Sequence, residues 1–271
     1  MLELLDYQFF RLALIGVAII SVAAAIIGTY IITRRMVAIA GGVTHACFGG
    51  LGLGYWLGLN PIAMAAVFAI ASSLGVEWMS SRMRIREDSA IAVIWAIGMA
   101  AGVLFVFLTP GYVPELNSFL FGNILTVTVS DLIVFAAYTL VLAVVFACFF
   151  NLIVACAFDR DFARVAGLPV KTVSTVMTVM TALCIVLTIR LVGIMLLMSM
   201  LSLPMMIAET FTHSLRKLIV SSALISLVAS LAGLFAGALV DVPCSALIVI
   251  ILAALFLLAR TAKVFLQAVR A

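Results

Sequence analysis

The sequence predicts an all-α, polytopic helical membrane protein with about 8–9 transmembrane helices, because apolar runs of about 20 residues, enough to cross a hydrocarbon core, recur along its whole length. Composition says the same: of 271 residues 67% are hydrophobic and 10% charged, against roughly 45–50% and 25% in soluble domains. A third observation is that Lys and Arg gather in alternate breaks between the runs, as expected of a chain that threads a bilayer back and forth.

The first run, 9–32, follows Glu3, Asp6 and Arg11 instead of a basic leader and has no small-residue cleavage site after it, so it reads as a retained helix. Further spans are expected near 36–58, 62–79, 90–108, 131–157, 172–189, 192–209, 216–236 and 244–260, nine in all. The sixth and seventh are short and parted only by Arg190-Leu191-Val192-Gly193, so eight spans with one kinked or re-entrant segment is the other reading. Positive charge falls at Arg34 and Arg35, at Arg82, Arg84 and Arg86, at Arg160, Arg164 and Lys171, at Arg216 and Lys217, and at Arg260, Lys263 and Arg270. The intervening breaks hold Glu115, Asp131 and Asp241, with Arg11 and Arg190 as exceptions. This alternation predicts nine spans in a single domain, 1–271, with the amino terminus outside and the carboxyl terminus in the cytoplasm. The net charge of +4 is thereby a topological signal and not a nucleic-acid surface.

An outer loop is expected over about 109–130, where Pro110, Gly111 and Pro114 break regular structure. The largest inner break, about 158–171, reads "FDRDFARVAGLPVK". There Asp159 or Asp161 caps a short helix running to Ala166, Gly167 ends it, and Pro169 precedes the next span. Of five cysteines, Cys148, Cys156, Cys184 and Cys244 read as apolar packing residues, while Cys47 stays open.

No GxxxxGK[ST] phosphate loop occurs, so any use of ATP belongs to a partner. GxSxG, HExxH and paired catalytic carboxylates are absent too, and the chain does not read as an enzyme. The second span carries "GGVTHACFGG". Gly42, His45, Gly49 and Gly52 are spaced to share one helical face, and Gly50, Gly54 and Gly58 repeat every four residues, both patterns that let a neighbouring helix come close in lipid. His45 therefore points into the bundle, either as a packed histidine with one interhelical hydrogen bond or as a metal ligand. Glu209 and His213 lie one helical turn apart, as a solvated interfacial pair or a site for a divalent ion. Asp241, before Pro243, reads as a helix cap or as a carboxylate drawing cations to an outer mouth. Glu77 is expected to pair with Arg82 or Arg84. "REDS" at 86–89 reads as a charged loop whose Asp88 or Ser89 caps the next helix. Met195, Met198, Met200, Met205 and Met206 read as plastic packing.

Six stretches, "GGVTHACFGGLGLG" from 41, "REDSAIAVIW" from 86, "LNSFLFGNIL" from 116, "FDRDFARVAGLPV" from 158, "VGIMLLMSMLSLP" from 192 and "DVPCSALIVI" from 241, stand in an order and spacing that resembles the ABC-3 family over roughly 28–255. These are the membrane permease subunits of ABC importers for zinc, manganese or ferrous iron. The resemblance implies a type II-like importer permease in the inner (cytoplasmic) membrane. Its implied partners are a second copy of itself, a cytoplasmic ABC ATPase and an extracytoplasmic metal-binding protein. It implies no cofactor held by this chain, only a transported ion, with zinc first by family frequency. Phe158, Asp161, Phe162, Ala163 and Gly167 would then couple to the ATPase, and His45 would stand in the metal path. Gly41 occupies the position where relatives carry an aspartate, so Asp241, or second to it Glu209 with His213, is expected to supply the missing charge. Two other functions remain open on the sequence: a permease for a metal chelate such as a siderophore or cobalamin, and a secondary carrier working without an ATPase. The absence of a repeated half with matching broken helices counts against the carrier.

Overall fold

Local signals set the helix ends. Asn60 accepts hydrogen bonds from the Ile62 and Ala63 amides at 3.0 and 3.2 Å, with Pro61 behind it as the first helical residue, which fixes the start of the third helix. Gly58, at φ +66°, ends the helix before it. The computed structural model describes residues 6–111, 122, 124–212, 214–240 and 242–270. Residues 112–121 and 123, half of the expected outer loop, together with His213 and Asp241, lie outside the described residues.

Among those residues the regular structure is helical throughout: α1 Gln8–Thr33, α2 Ala38–Leu57, α3 Pro61–Arg82, α4 Glu87–Leu108, a 3-10 turn Ile124–Thr126, α5 Val129–Cys148, α6 Phe150–Phe158, α7 Arg160–Val165, α8 Val170–Phe211, α9 Leu215–Val240 and α10 Cys244–Arg270. Seven of the described helices are long and apolar enough to cross a membrane. α2 falls short of them because its six glycines and His45 dilute its hydropathy. α8, at 42 residues, is about twice the length a bilayer core requires. Counting α2 and two halves of α8 gives the nine spans of the sequence reading among the described residues. The predicted span 131–157 differs: Phe149, at φ −111° and ψ 21°, leaves the helical region and divides it into α5 and α6.

The chain forms two compact units. The first comprises 1–32, 117–143 and 190–271. In it α1 meets the second half of α8 where Gly28 lies against Leu201 and Met205, and α9 meets α10 where Gly233 and Gly237 lie against Ile248 and Cys244. Gly193, at φ 80° and ψ 172°, interrupts α8 in a conformation that is essentially glycine's alone. The backbone of Gly122, itself at φ +54°, presses on Val192 and Gly193 at that break. Arg190, an exception to the charge alternation, pairs with Asp131 at 2.8 Å, so its charge is balanced where it stands. Thr128 accepts from the Asp131 amide at 3.3 Å and donates to the same residue's carboxylate at 2.7 Å, which fixes the start of α5.

The second unit comprises 33–116 and 144–189. Its centre is α2, held between α3 and α4. In isolation six helical glycines would cost α2 roughly 5 kcal/mol relative to alanines. Close packing offsets this: a Cβ on Gly50 or Gly54 would stand 2.7 or 2.6 Å from the α carbons of Ala65 and Pro61 in α3. One on Gly49 or Gly52 would stand 3.1 or 2.6 Å from the carbonyl oxygens of Gly98 and Gly102 in α4, and Gly42 meets Ile91 of the same helix.

Candidate metal path and coupling element

His45 projects from the α4-facing side of α2. Its imidazole lies parallel to the Trp95 indole, with centroids 4.6 Å apart and planes 3° apart, and Phe48 follows at 6.3 Å. The ring is half-buried, and its Nδ1 is buried without a hydrogen-bond partner among the described residues. An orphaned imidazole nitrogen inside a membrane bundle is costly unless something comes to meet it. Proton donors and metal ions are the chemistries that fit. The stack fixes the plane of the ring and so the direction of its lone pair. Cys47 is wholly buried and donates its thiol hydrogen to the Val43 carbonyl at 3.1 Å, as a packing residue does. Thr44 likewise turns back onto Ala40 of its own helix.

No group of three or more His, Cys, Asp or Glu side chains converges among the described residues. Gly41 is buried in α2 and brings no carboxylate to His45. Glu209 belongs to the first unit and is exposed on α8, whereas His45 belongs to the second. His213 and Asp241, the other residues singled out for metal, lie outside the described residues.

The segment after α6 is built by its own side chains. Asp159 accepts from the Asp161 and Phe162 amides at 3.0 and 2.9 Å and so starts α7. At the other end Gly167, at φ +75°, donates to the Arg164 carbonyl at 3.0 Å, and Leu168 donates to that of Ala163 at 2.9 Å. Asp161 and Arg164 form an exposed pair at 3.3 Å. Of the two residues at the middle of the motif, Phe162 is 67% exposed while Ala163 is wholly buried. Phe158, at the end of α6, and Val165, the latter 90% exposed, are exposed apolar side chains near Phe162 in sequence. Val165 was not among the residues the sequence singled out, although its spacing from Phe158 and Phe162, seven and three residues, is readable.

A charged cluster that the sequence did not foretell ties this segment to the helices. Glu87 accepts from Arg34 and from Arg160, both at 3.2 Å, and Ser174 accepts from the same two guanidinium groups at 3.3 and 3.0 Å. The approach to α2, together with α4, α7 and α8, is thereby joined at one end of the second unit. "REDS" is thus not a loop: α4 begins at Glu87, Arg86 precedes it, and no side chain caps that start. Glu77 differs in the same way, accepting from the Thr178 hydroxyl at 3.2 Å and forming no ion pair with Arg82 or Arg84 among the described residues.

Residues 6–263 match the model of the ABC 3 transport family. A "probable metal transport system membrane protein" of Chlamydia trachomatis is 32% identical over 90% of this chain and 85% of its own. The manganese transport system membrane protein MntC of Halalkalibacterium halodurans is 27% identical over 95% and 88%, and a "probable iron transport system membrane protein" of Haemophilus influenzae is 31% identical over 96% and 95%. Among solved structures, PsaBC from Streptococcus pneumoniae in complex with Fab superposes with a TM-score of 0.83 at 27% identity, covering 96% of this chain and 95% of that one. The chain belongs to the ABC 3 transport family and is a multi-pass membrane permease of a metal ABC transporter.

Proposed function

We propose that this permease imports a divalent first-row transition-metal ion, driven by ATP hydrolysis on a separate cytoplasmic subunit, with His45 as a transient ligand in the path. The observation that carries the reading is the buried, unpartnered Nδ1 of His45, held in plane by Trp95. A single imidazole completed by oxygen ligands suits manganese, ferrous iron and zinc alike. Manganese and iron lead because the relatives named above carry those ions, which displaces the zinc preferred on family frequency. Weak, incomplete coordination favours transport, since an ion held too well does not leave. Asp241 at an outer mouth, or Glu209 with His213, would supply the carboxylate that Gly41 does not.

The ends of the second unit that carry Arg34, Arg160 and the neighbouring Arg82 and Arg84 belong on the cytoplasmic side by the positive-inside rule. The contact of Arg34 and Arg160 through Glu87 supports placing these breaks together. A homodimer of this chain would form the pore. Phe158, Asp161, Phe162 and Val165 would present α7 to the ATPase, with Ala163 seating the helix and Gly167 closing it. An extracytoplasmic metal-binding protein would deliver the ion.

In the reconstituted permease–ATPase complex, His45→Ala is expected to lower manganese- or iron-stimulated ATP hydrolysis and uptake at least about tenfold, at unchanged assembly. Normal transport by this variant refutes the ligand role. Stimulation by zinc alone would move the choice of ion, stimulation by a metal chelate would point to the chelate permease, and uptake without ATP hydrolysis would point to a secondary carrier.

A further inference from the structure

In the second unit, α3, α7 and the first turn of α8 surround a cavity of about 690 Å³. Arg82, Arg160, Arg164 and Lys171 line it, against a single carboxylate, that of Glu77. Arg160 is engaged by Glu87 and Arg164 by Asp161. Arg82 and Lys171 have no ion-pair partner among the described residues. The first turn of α8 forms part of the same wall, at the positive end of that helix's dipole. The cavity thus holds a surplus of positive charge and donors. α3, which brings Glu77 and Arg82, also brings the apolar Leu74 and Trp78, the latter 58% exposed.

A pocket that combines basic with apolar side chains, at the end of a membrane bundle where Lys and Arg gather, matches a lipid better than a soluble anion. Basic pockets between helices on that side of a bilayer bind phosphate headgroups, and tryptophan favours the same depth. We propose that this cavity binds the phosphate of an anionic phospholipid, with Arg82 and Lys171 supplying the unmatched charge and Trp78 and Leu74 flanking the acyl chains. The site stands apart from His45 and does not depend on which ion is carried.

The test is native mass spectrometry of the full chain in detergent with phosphatidylglycerol, phosphatidylcholine or inorganic phosphate added, comparing wild type, Arg82→Gln/Lys171→Gln and Lys263→Gln, a change of charge outside the cavity. Wild type and Lys263→Gln are expected to retain phosphatidylglycerol over phosphatidylcholine. The double variant is expected to bind it on the order of thirtyfold more weakly, because two cationic groups no longer attract the anionic headgroup. Should the double variant not fold, each single variant is expected to bind about fivefold more weakly. Undiminished retention of phosphatidylglycerol by the Arg82→Gln and Lys171→Gln variants overturns the proposal. So does binding of inorganic phosphate where phosphatidylglycerol does not bind. Loss of ATPase copurification with lipid binding unchanged would assign the cavity to an acidic segment of the ATPase and overturn it equally.

Discussion

Glu87 is the residue on which the second unit's charged end turns. The Arg34 side chain is only 6% exposed, so its charge depends on the carboxylate it meets. Glu87→Gln would leave two guanidinium groups facing a neutral amide. With Glu87 and Arg160 still 27% and 29% exposed, water relieves part of the cost, and a loss of about 2 kcal/mol is expected. In a thermal-unfolding assay of the purified chain this would lower the midpoint by roughly 5 °C. Adding Arg160→Gln, which removes one of the two like charges, is expected to recover part of the loss; an unchanged midpoint in Glu87→Gln would show that the carboxylate stabilises nothing. Nothing in the sequence announces this cluster. Its members are separated by 53, 73 and 140 residues, and each alone reads as an ordinary charge at a membrane edge. His45 was legible for the opposite reason, because an imidazole among helically spaced glycines is anomalous by itself. Its stack on Trp95 was not legible, since aromatic residues are common at every depth of such a chain.

At the scale of the elements, the contact of α2 with α4 is made by small residues on both sides. The glycines of α2 were read by spacing, whereas Gly98 and Gly102 of α4, four apart as a small-xxx-small pair, were not singled out. A Cβ on Gly102 would approach the carbonyl carbon of Phe48 at 2.7 Å, and one on Gly98 would meet the backbone of Ala46. Gly75, by contrast, would place its Cβ at an ordinary 3.5 Å from the end of Ile94. Gly98→Leu is therefore expected to cost at least about 1–3 kcal/mol through overpacking and to cut the monodisperse yield by size-exclusion chromatography, while Gly75→Ala leaves it unchanged. Equal yields from both would mean that α2 and α4 part without penalty. Helix ends were legible at Asp159 and Gly167, whereas Gly58, expected among the packing glycines, instead ends α2 at φ +66° with nothing packed against it, and the Asn60 cap was not foreseen. The division at Phe149 has no such marker, which is why a single span was expected there.

For the whole molecule, the proposed function asks how an ATPase subunit acts on this permease. α7 exposes Phe162 and Val165, and the end of α6 exposes Phe158, while Ala163 faces inward and Arg160 joins the Glu87 cluster. Phe162→Asp is expected to abolish copurification of the ATPase and reduce transport at least about tenfold, leaving the thermal midpoint of the permease alone within about 1 °C, as a surface change should. Ala163→Asp should instead lower that midpoint, because it would bury a carboxylate. Full copurification with Phe162→Asp would remove α7 from the coupling role. The long apolar runs were legible from hydropathy, and the break between the sixth and seventh was legible at Arg190–Gly193; the sequence did not show that Gly193 itself, one glycine among 18, carries the interruption. Its partner in space is Gly122, and both sit at positive φ with their backbones in contact. Two positions confined to one residue type have no second choice to trade against each other. Comparison of homologous sequences finds contacts through paired variation, so this contact, however firmly it joins the outer loop to the broken helix, is expected to leave no covariation signal.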